Sequence, residues 1–184
     1  MKELRNDLRT KRTIKSIRYA FSQLVLEKPY SKISITELAE YAEINRKTFY
    51  LHYSSLDDLV NEFAEEIAAN YIDYVSEEIR DRDLAGCFSK FYHFLSESDE
   101  VTRRLMCDDD YTFFYKTAAS KLLTSGSFDF IFEGKKNPEI IKAYLGVATS
   151  MYRRWYRSGQ EIPLEELITC ASDLFLNGYA HADA

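Results

Sequence analysis

Few residues in this chain break helices, and apolar residues recur at helical spacing along nearly all of it. Only 6 of its 184 residues are glycine and 3 are proline, while 46% are apolar. The first stretch with this spacing carries Ile14, Ile17, Phe21, Leu24 and Val25 on one helical face. No alternating strand pattern competes with it. The sequence therefore predicts an all-α fold with a sizeable core.

Two short helices are predicted next, joined by a tight turn. Pro29 ends the first helix, and Ser34 stands three residues before Glu37, which is the spacing of a capping box. Asn45 is a good N-cap for the second short helix, residues 46–53. This layout is typical of a three-helix helix-turn-helix domain, in which the second short helix is the recognition helix. An ordinary helical hairpin with a solvated polar face is the alternative.

A long helix is predicted to follow and to join two domains. Ser54 or Ser55 caps it, and its apolar face continues to Ile79, over about 25 residues or roughly 37 Å. We therefore expect a helix-turn-helix domain at residues 1–55 and a second helical domain, the body of the chain, at residues 56–184. Further helices are predicted at residues 84–96, 99–107, 111–124, 137–158 and 163–179, with an apolar but irregular segment at 124–137.

The charge of the chain divides in a similar way. Residues 1–53 carry a net charge of +5 and residues 54–184 carry −11, which together give the formal −6. A basic first part on an acidic body indicates that the first part meets a polyanion. Uneven surface charge without such a partner is the alternative.

Polar donors crowd the predicted recognition helix. Arg46 and Lys47 can reach guanine O6 and N7 or phosphate, and Phe49 remains as an inward anchor. The other donors, which can bond phosphate oxygens, are Thr48, Tyr50 and His52.

Residues 33–53 resemble a known family. They read ISITELAEYAEINRKTFYLHY, and TetR-family transcriptional regulators carry the pattern T-x-x-x-I/L-A-x-x-A-G-V-S-x-x-T-x-Y-x-H/Y-F-x-x-K-x-x-L in their DNA-binding domain. The resemblance covers about residues 9–62, and the rest of the chain is similar only in length, helicity and order of helices. It implies a homodimer whose recognition helices enter successive major grooves of a palindromic operator in double-stranded DNA. It also implies a body that dimerises and senses a ligand, so we expect a ligand-responsive repressor.

The resemblance assigns roles to single residues. Arg46 and Lys47 are expected to read bases or adjacent phosphates, and Thr36 to meet a phosphate near the start of the first short helix. The chain departs from the family at Glu43, where the turn glycine is usual, and at Leu56, where a lysine is usual. We expect these departures to lower the affinity or shift the docking rather than abolish function. The other expected DNA contacts are Lys11, Lys15, Asn45, Thr48, Tyr50 and His52.

Aromatic residues are frequent in the body of the chain, and apolar pockets between helices are built from such side chains. We expect a pocket for a small apolar or amphipathic ligand. Ordinary core packing is the alternative for any one of these residues. The expected lining residues are Tyr71, Tyr74, Phe88, Phe91, Tyr92, Phe113, Phe114 and Trp155.

The last two predicted helices are expected to form the dimer interface. The penultimate helix has apolar residues on two faces, and small residues on the last helix permit close approach. The resemblance implies that both helices pair with their symmetry mates, whereas a monomer that buries both faces is the alternative. The expected interface residues are Tyr144, Val147, Met151, Leu167, Ala171, Leu174 and Phe175.

Other functions have weaker support. No enzyme, cofactor or metal site is expected, because His93, Cys87 and Cys107 lack the spacing of a nucleophile or ligand set. These two cysteines and Cys170 are interpreted as small core residues. No membrane span or secretory signal is visible, so a cytoplasmic location is expected. Two alternatives stay open: an activator controlled by a protein coactivator, and a helical protein-interaction adaptor that does not bind DNA.

Overall fold

Ten α-helices make up the part of the chain that the computed structural model describes, residues 2–181. No strand occurs in this range, which confirms the all-α fold. The chain separates into two compact units, the first ending at Phe63 and the second beginning at Ala64. The outer limits of the predicted domains, residues 1 and 184, lie outside the described residues. The helices are α1 (Lys2–Glu27), α2 (Ile35–Tyr41), α3 (Arg46–Tyr50), α4 (Leu56–Tyr74), α5 (Ser76–Arg80), α6 (Leu84–Glu97), α7 (Glu100–Cys107), α8 (Thr112–Thr124), α9 (Pro138–Arg157) and α10 (Leu164–Ala180).

The apolar stripe of α1 forms much of the core of the first unit. Ile17, Phe21 and Val25 are completely buried, and the ring of Phe21 lies 5.1 Å from that of Phe63 in α4. Arg18 places its guanidinium over the Phe63 ring at 4.2 Å and pairs with the Glu62 carboxylate. The stripe read from the sequence therefore packs as its spacing predicts.

The long helix predicted to reach Ile79 is interrupted. Val75 has φ −108° and ψ 22°, so α4 ends at Tyr74 and α5 begins at Ser76. The Val75 side chain is completely buried in a cluster with Tyr71 and Cys87. This prediction was wrong because apolar spacing continues through the interruption, and only the packing around Val75 distinguishes one helix from two.

Helix boundaries in the second unit follow local capping. Asp83 Oδ1 accepts a hydrogen bond from Gly86 N at 2.9 Å, and Asp99 Oδ1 accepts one from Thr102 N at 2.7 Å. Asn137 makes no such bond, so α9 begins at Pro138 without a side-chain cap. Gly159 follows α9 with φ +90°, the left-handed conformation that glycine adopts without strain.

The irregular segment at residues 124–137 is part of the core of the second unit. Its Phe128 and Ile131 are buried, and a short 3-10 helix, Asp129–Ile131, holds them there. The Phe128 ring stacks on Tyr71 at 6.0 Å, and the Tyr71 hydroxyl donates to Cys87 O at 2.7 Å. Two further 3-10 helices, Tyr30–Lys32 and Asp109–Tyr111, lie in other connections.

A buried arginine in α9 bonds to the corner of the second unit where α7 ends and α8 begins. Arg153 is only 5% exposed, and its guanidinium donates to the backbone oxygen of Met106 at the end of α7. It also donates to Asp109 Oδ1 and to Thr112 Oγ1, each at 3.3 Å. Its guanidinium carbon lies 4.3 Å from the centre of the Tyr115 ring. No sequence pattern indicates this role.

The cysteines do not all lie in the core. Cys87 and Cys107 are buried, and burial raises the pKa of the Cys107 thiol to about 11. Cys170 is exposed, so its interpretation as a core residue was wrong. It lies on α10 between the exposed Thr169 and the buried Ala171, and apolar spacing alone assigned it to the wrong side.

Candidate nucleic-acid interface

The turn between α2 and α3 has a closed hydrogen-bond pattern. Ile44 N donates to Ala39 O at 2.9 Å, and Glu43 N donates to Glu40 O at 3.1 Å. This is a Schellman motif, which requires a left-handed residue after the helix. Glu43 supplies it with φ +54°. The residue that replaces the usual glycine therefore adopts the glycine conformation and bears its strain.

Side-chain caps begin both short helices. Ser34 Oγ accepts from Glu37 N at 3.2 Å, and Asn45 Oδ1 accepts from Thr48 N at 2.8 Å. The Glu37 carboxylate pairs with Lys28 Nζ. The two caps begin the helices as the sequence predicts, but the Glu37 carboxylate bonds Lys28 instead of the Ser34 backbone N–H that a capping box requires.

One face of α3 is anchored in the first unit. Phe49 is completely buried, and its ring lies 5.6 Å from the ring of Tyr53, which is also buried. Burial, together with the neighbouring Glu62 carboxylate, raises the pKa of Tyr53, so this phenol stays neutral. Because this face is held inward, the opposite face points to solvent.

The outward face of α3 consists of Arg46, Lys47, Tyr50 and the following residue, Leu51. All four are exposed, Tyr50 at 48% and Leu51 at 80%. Arg46 and Lys47 supply cationic donors, and Tyr50 supplies a neutral hydroxyl. Sequence reasoning named the first three residues and missed Leu51, although its position one turn after Lys47 could have indicated it.

Three other predicted contacts lie at the edge of this face. Thr48 and His52 are half-buried, and Thr48 Oγ1 donates to Asn45 Oδ1 at 3.1 Å. Asn45 itself is exposed, but its side-chain oxygen Oδ1 accepts the hydrogen bond that caps α3. The Asn45 side-chain oxygen and the Thr48 hydroxyl are therefore partly engaged at the start of α3.

The remaining predicted contacts lie on other helices of the first unit. Lys11 and Lys15 are exposed on α1, and Lys11 Nζ lies 3.0 Å from Asp7 Oδ2. Thr36 is exposed in the first turn of α2. Leu56, which stands at the position of the usual lysine, is half-buried at the start of α4.

The second unit contains an apolar cavity of about 140 Å³. Three of the predicted ligand-binding residues line it: Tyr71, Phe88 and Phe91. Cys87 also lines it, and burial raises the pKa of that thiol to about 12, which keeps it neutral. A void of about 50 Å³ has Tyr71, Phe91 and the buried Thr149 in common with this cavity. Both spaces also have Ala119 and Leu122 in their walls.

The other predicted ligand-binding residues lie elsewhere. Tyr92 and Phe114 are completely buried, and the Tyr92 hydroxyl donates to Ala148 O at 2.9 Å. Tyr74 is exposed, and its hydroxyl lies 3.3 Å from Glu97 Oε2. The half-buried Trp155 lines a surface groove described below. Phe113 is half-buried on α8 and does not line the cavity.

An open groove of about 780 Å³ runs along α9 and the start of α10. Val147, Met151 and Leu167, three of the predicted interface residues, line it. Leu174 of α10 is 58% exposed. At the groove's end, the Trp155 indole nitrogen donates to Ile162 O at 2.8 Å.

Three predicted interface residues face the interior of the second unit instead. Ala171 and Phe175 are buried, and Phe175 stacks on Phe88 at 4.6 Å and on Tyr144 at 5.0 Å. The Tyr144 hydroxyl donates to Leu174 O at 3.1 Å. The seven residues therefore divide between an outward surface and the packing of α9 on α10.

Two kinds of feature are absent from the part of the chain that the structure describes. Within residues 2–181, no group of three or more His, Cys, Asp or Glu side chains could hold a metal ion. No helix in the same range is long and apolar enough to span a membrane.

The geometry defines a helix-turn-helix unit followed by a helical unit with an apolar cavity. A curated relative, an uncharacterized HTH-type transcriptional regulator of Haemophilus influenzae, is 32% identical over 109 residues, which are 55% of this chain and 53% of that protein. The chain thus spans about half the length of this relative. No protein-family model matches the chain.

Solved structures share the fold across nearly the whole chain. The fatty acid degradation regulator FadR from Bacillus halodurans matches with a TM-score of 0.62 and 15% identity, over 90% of this chain and 95% of that one. The dihydroxyacetone kinase operon activator DhaS matches with a TM-score of 0.53 and 19% identity, over 94% and 98%. With the order of helices, these similarities show that the chain has the fold of these two regulators.

Proposed function

We propose that the protein is a sequence-specific DNA-binding regulator of transcription. The outward face of α3 is the observation that carries this proposal, because it exposes Arg46, Lys47 and Tyr50 on a helix anchored by the buried Phe49. A short helix with cationic donors on its free face suits the major groove. The similarity to a helix-turn-helix transcriptional regulator over 109 residues supports this proposal. The proposal includes no catalytic reaction.

The regulator is proposed to act as a homodimer in the cytoplasm, where it meets its DNA. Val147 and Leu174 expose apolar side chains on the last two helices, α9 and α10. A two-fold pair through this surface gives two recognition helices, and a dimer reads two half-sites roughly 34–36 Å apart. A palindromic operator is the DNA that matches such a pair.

The cavity of the second unit is proposed to bind a small apolar or amphipathic effector that releases the DNA. Its walls are mostly aromatic and aliphatic, and Thr149 and Lys142 are polar residues among them. An Ala119→Phe variant would fill it. Compounds that raise the Tm of the wild type should leave the Tm of this variant unchanged. The same compounds should release the operator from the wild type only.

The direction of regulation has two candidates. A repressor is the first, because a bound dimer covers the DNA that it reads. An activator is the second, because the DhaS activator has the same fold over 94% of this chain. Transcription in vitro from a promoter that carries the operator separates them: a repressor lowers the transcript level, and an activator raises it, with or without a protein coactivator.

Selection of bound sequences from a random duplex pool tests the proposal. It should be performed at two salt concentrations, because phosphate contacts alone give salt-dependent binding without sequence preference. A palindromic consensus at both concentrations is the expected result. If no sequence is enriched at either concentration, DNA reading is excluded and the protein-interaction adaptor becomes the function to test.

A further inference from the structure

Leu51 is the most exposed large apolar residue among those that the structure describes, at 80%. Its backbone is still helical, with φ −75° and ψ −18°, and its N–H donates to Lys47 O at 3.2 Å. It therefore extends α3 by one residue and stands beside Lys47 on the outward face of α3. Nothing in its helix position forces a leucine there, since the inward anchor is Phe49.

The surroundings of Leu51 are polar and cationic. Arg46 and Lys47 precede it on the same face, and Tyr50 lies next to it with its hydroxyl free to donate. Single exposed leucines are common on protein surfaces and need no special explanation. A leucine inside the face that meets DNA is different, because the major groove offers one apolar group, the 5-methyl group of thymine.

We propose that Leu51 contacts the 5-methyl group of a thymine in each half-site and so adds sequence preference to the polar contacts of Arg46 and Lys47. This inference rests on the proposed function, because it needs α3 to lie in the major groove. Charge complementarity favours DNA over a protein as the partner of this face, since cationic side chains flank Leu51.

The test replaces thymine by deoxyuridine, which removes only the methyl group. Each thymine of the selected half-site is replaced in turn, and the affinity of wild type and of Leu51→Ala is measured by fluorescence anisotropy. One replacement should weaken wild-type binding about fourfold, the value of one buried methyl-sized group. Leu51→Ala should bind the thymine duplex about fourfold more weakly than the wild type does. Replacing thymine by deoxyuridine should not weaken the binding of this variant further.

Two controls keep the result specific. Leu8→Ala removes another exposed leucine, on α1, and should keep the wild-type response to deoxyuridine. Leu51→Lys should bind all sequences more tightly and show no methyl effect, because a cation attracts phosphate without reading bases.

The outcomes separate the inference from the proposed function. If selection enriches a sequence but every deoxyuridine replacement affects wild type and Leu51→Ala equally, the thymine contact is overturned and the DNA-binding function stands. If selection enriches nothing, both are overturned, and the outward face of α3 is then a surface for a protein partner.

Discussion

Glu43 occupies a backbone conformation that favours glycine. Its φ of +54° closes the turn between α2 and α3, and a left-handed conformation costs a residue with a Cβ roughly 1–2 kcal/mol. Glu43→Gly should therefore raise the free energy of unfolding by about 1 kcal/mol, after the greater flexibility of glycine in the unfolded chain is deducted. Urea denaturation of the two proteins measures this difference.

Glu40→Gly is the matched control for that prediction. Glu40 lies inside α2 and is exposed, so glycine there should lower the free energy of unfolding by about 1 kcal/mol. Equal destabilisation by the two variants would contradict the strain assigned to Glu43.

Arg46 and Lys15 should differ in what they contribute to DNA binding. Arg46→Ala should reduce the discrimination against a changed base at one operator position by about 1–3 kcal/mol, because a guanidinium can bond guanine O6 and N7. Lys15→Ala should weaken binding to all sequences alike and lower the salt slope by about 1. Anisotropy titrations on operator and random duplexes measure both. Equal losses on the two duplexes for Arg46→Ala would count against base reading.

Residues with local signals were predictable, and residues defined by tertiary contacts were not. Asn45 and Phe49 follow from the cap and the apolar spacing around them, and both are placed as expected. The burial of Arg153 depends on backbone oxygens more than 40 positions away in the chain, so no sequence pattern reveals it. The prediction that Cys170 lies in the core was wrong for a related reason, because apolar spacing on α10 does not show which face is inward.

At the scale of elements, side-chain caps specify where several helices begin, and packing decides where α4 ends. The sequence predicted helices at residues 84–96 and 99–107, and α6 and α7 differ from these by one residue at one end of each. The interruption at Val75 was not predictable, because both sides of it continue the same apolar spacing.

Arg153 should be the residue on which the corner between α7, α8 and α9 depends. Arg153→Ala leaves the buried backbone oxygen of Met106 without its donor, so the free energy of unfolding should fall by about 3 kcal/mol. Arg80→Ala, on the surface, should change it by less than about 0.5 kcal/mol. Urea denaturation measures both variants, and similar small losses would show that Arg153 does not support the corner.

At the scale of the whole molecule, the proposed dimer makes function depend on a surface far from α3 in the sequence. Val147→Glu places a charge on the exposed face of α9 and should give a monomer where the wild type is a dimer. A monomer reads one half-site, so its affinity for the operator should fall about a hundredfold or more. Light scattering and anisotropy measure the two effects.

Lys116→Glu is the control, because it places the same acidic side chain at an exposed position of α8 that the proposed interface does not include. It should leave the mass unchanged. A dimer of unchanged mass for Val147→Glu would exclude this surface as the interface.

The molecule was more predictable in its first unit than in its second. Residues 33–53 carry a motif in which each cap and anchor acts within a few positions, so the helix-turn-helix could be read directly. The cavity depends on which of many aromatic side chains fill the core, and only Tyr71, Phe88 and Phe91 of the eight expected residues line it. Composition predicts that such a body has aromatic packing, but it does not locate the empty space.

A hydroxyl-radical footprint on the selected duplex tests whether a dimer reads the DNA with both recognition helices. It should show two protected segments on one face of the DNA, with centres about 10–10.5 base pairs apart, because two recognition helices enter successive major grooves. A single protected segment, or protection that does not depend on the selected sequence, would contradict it.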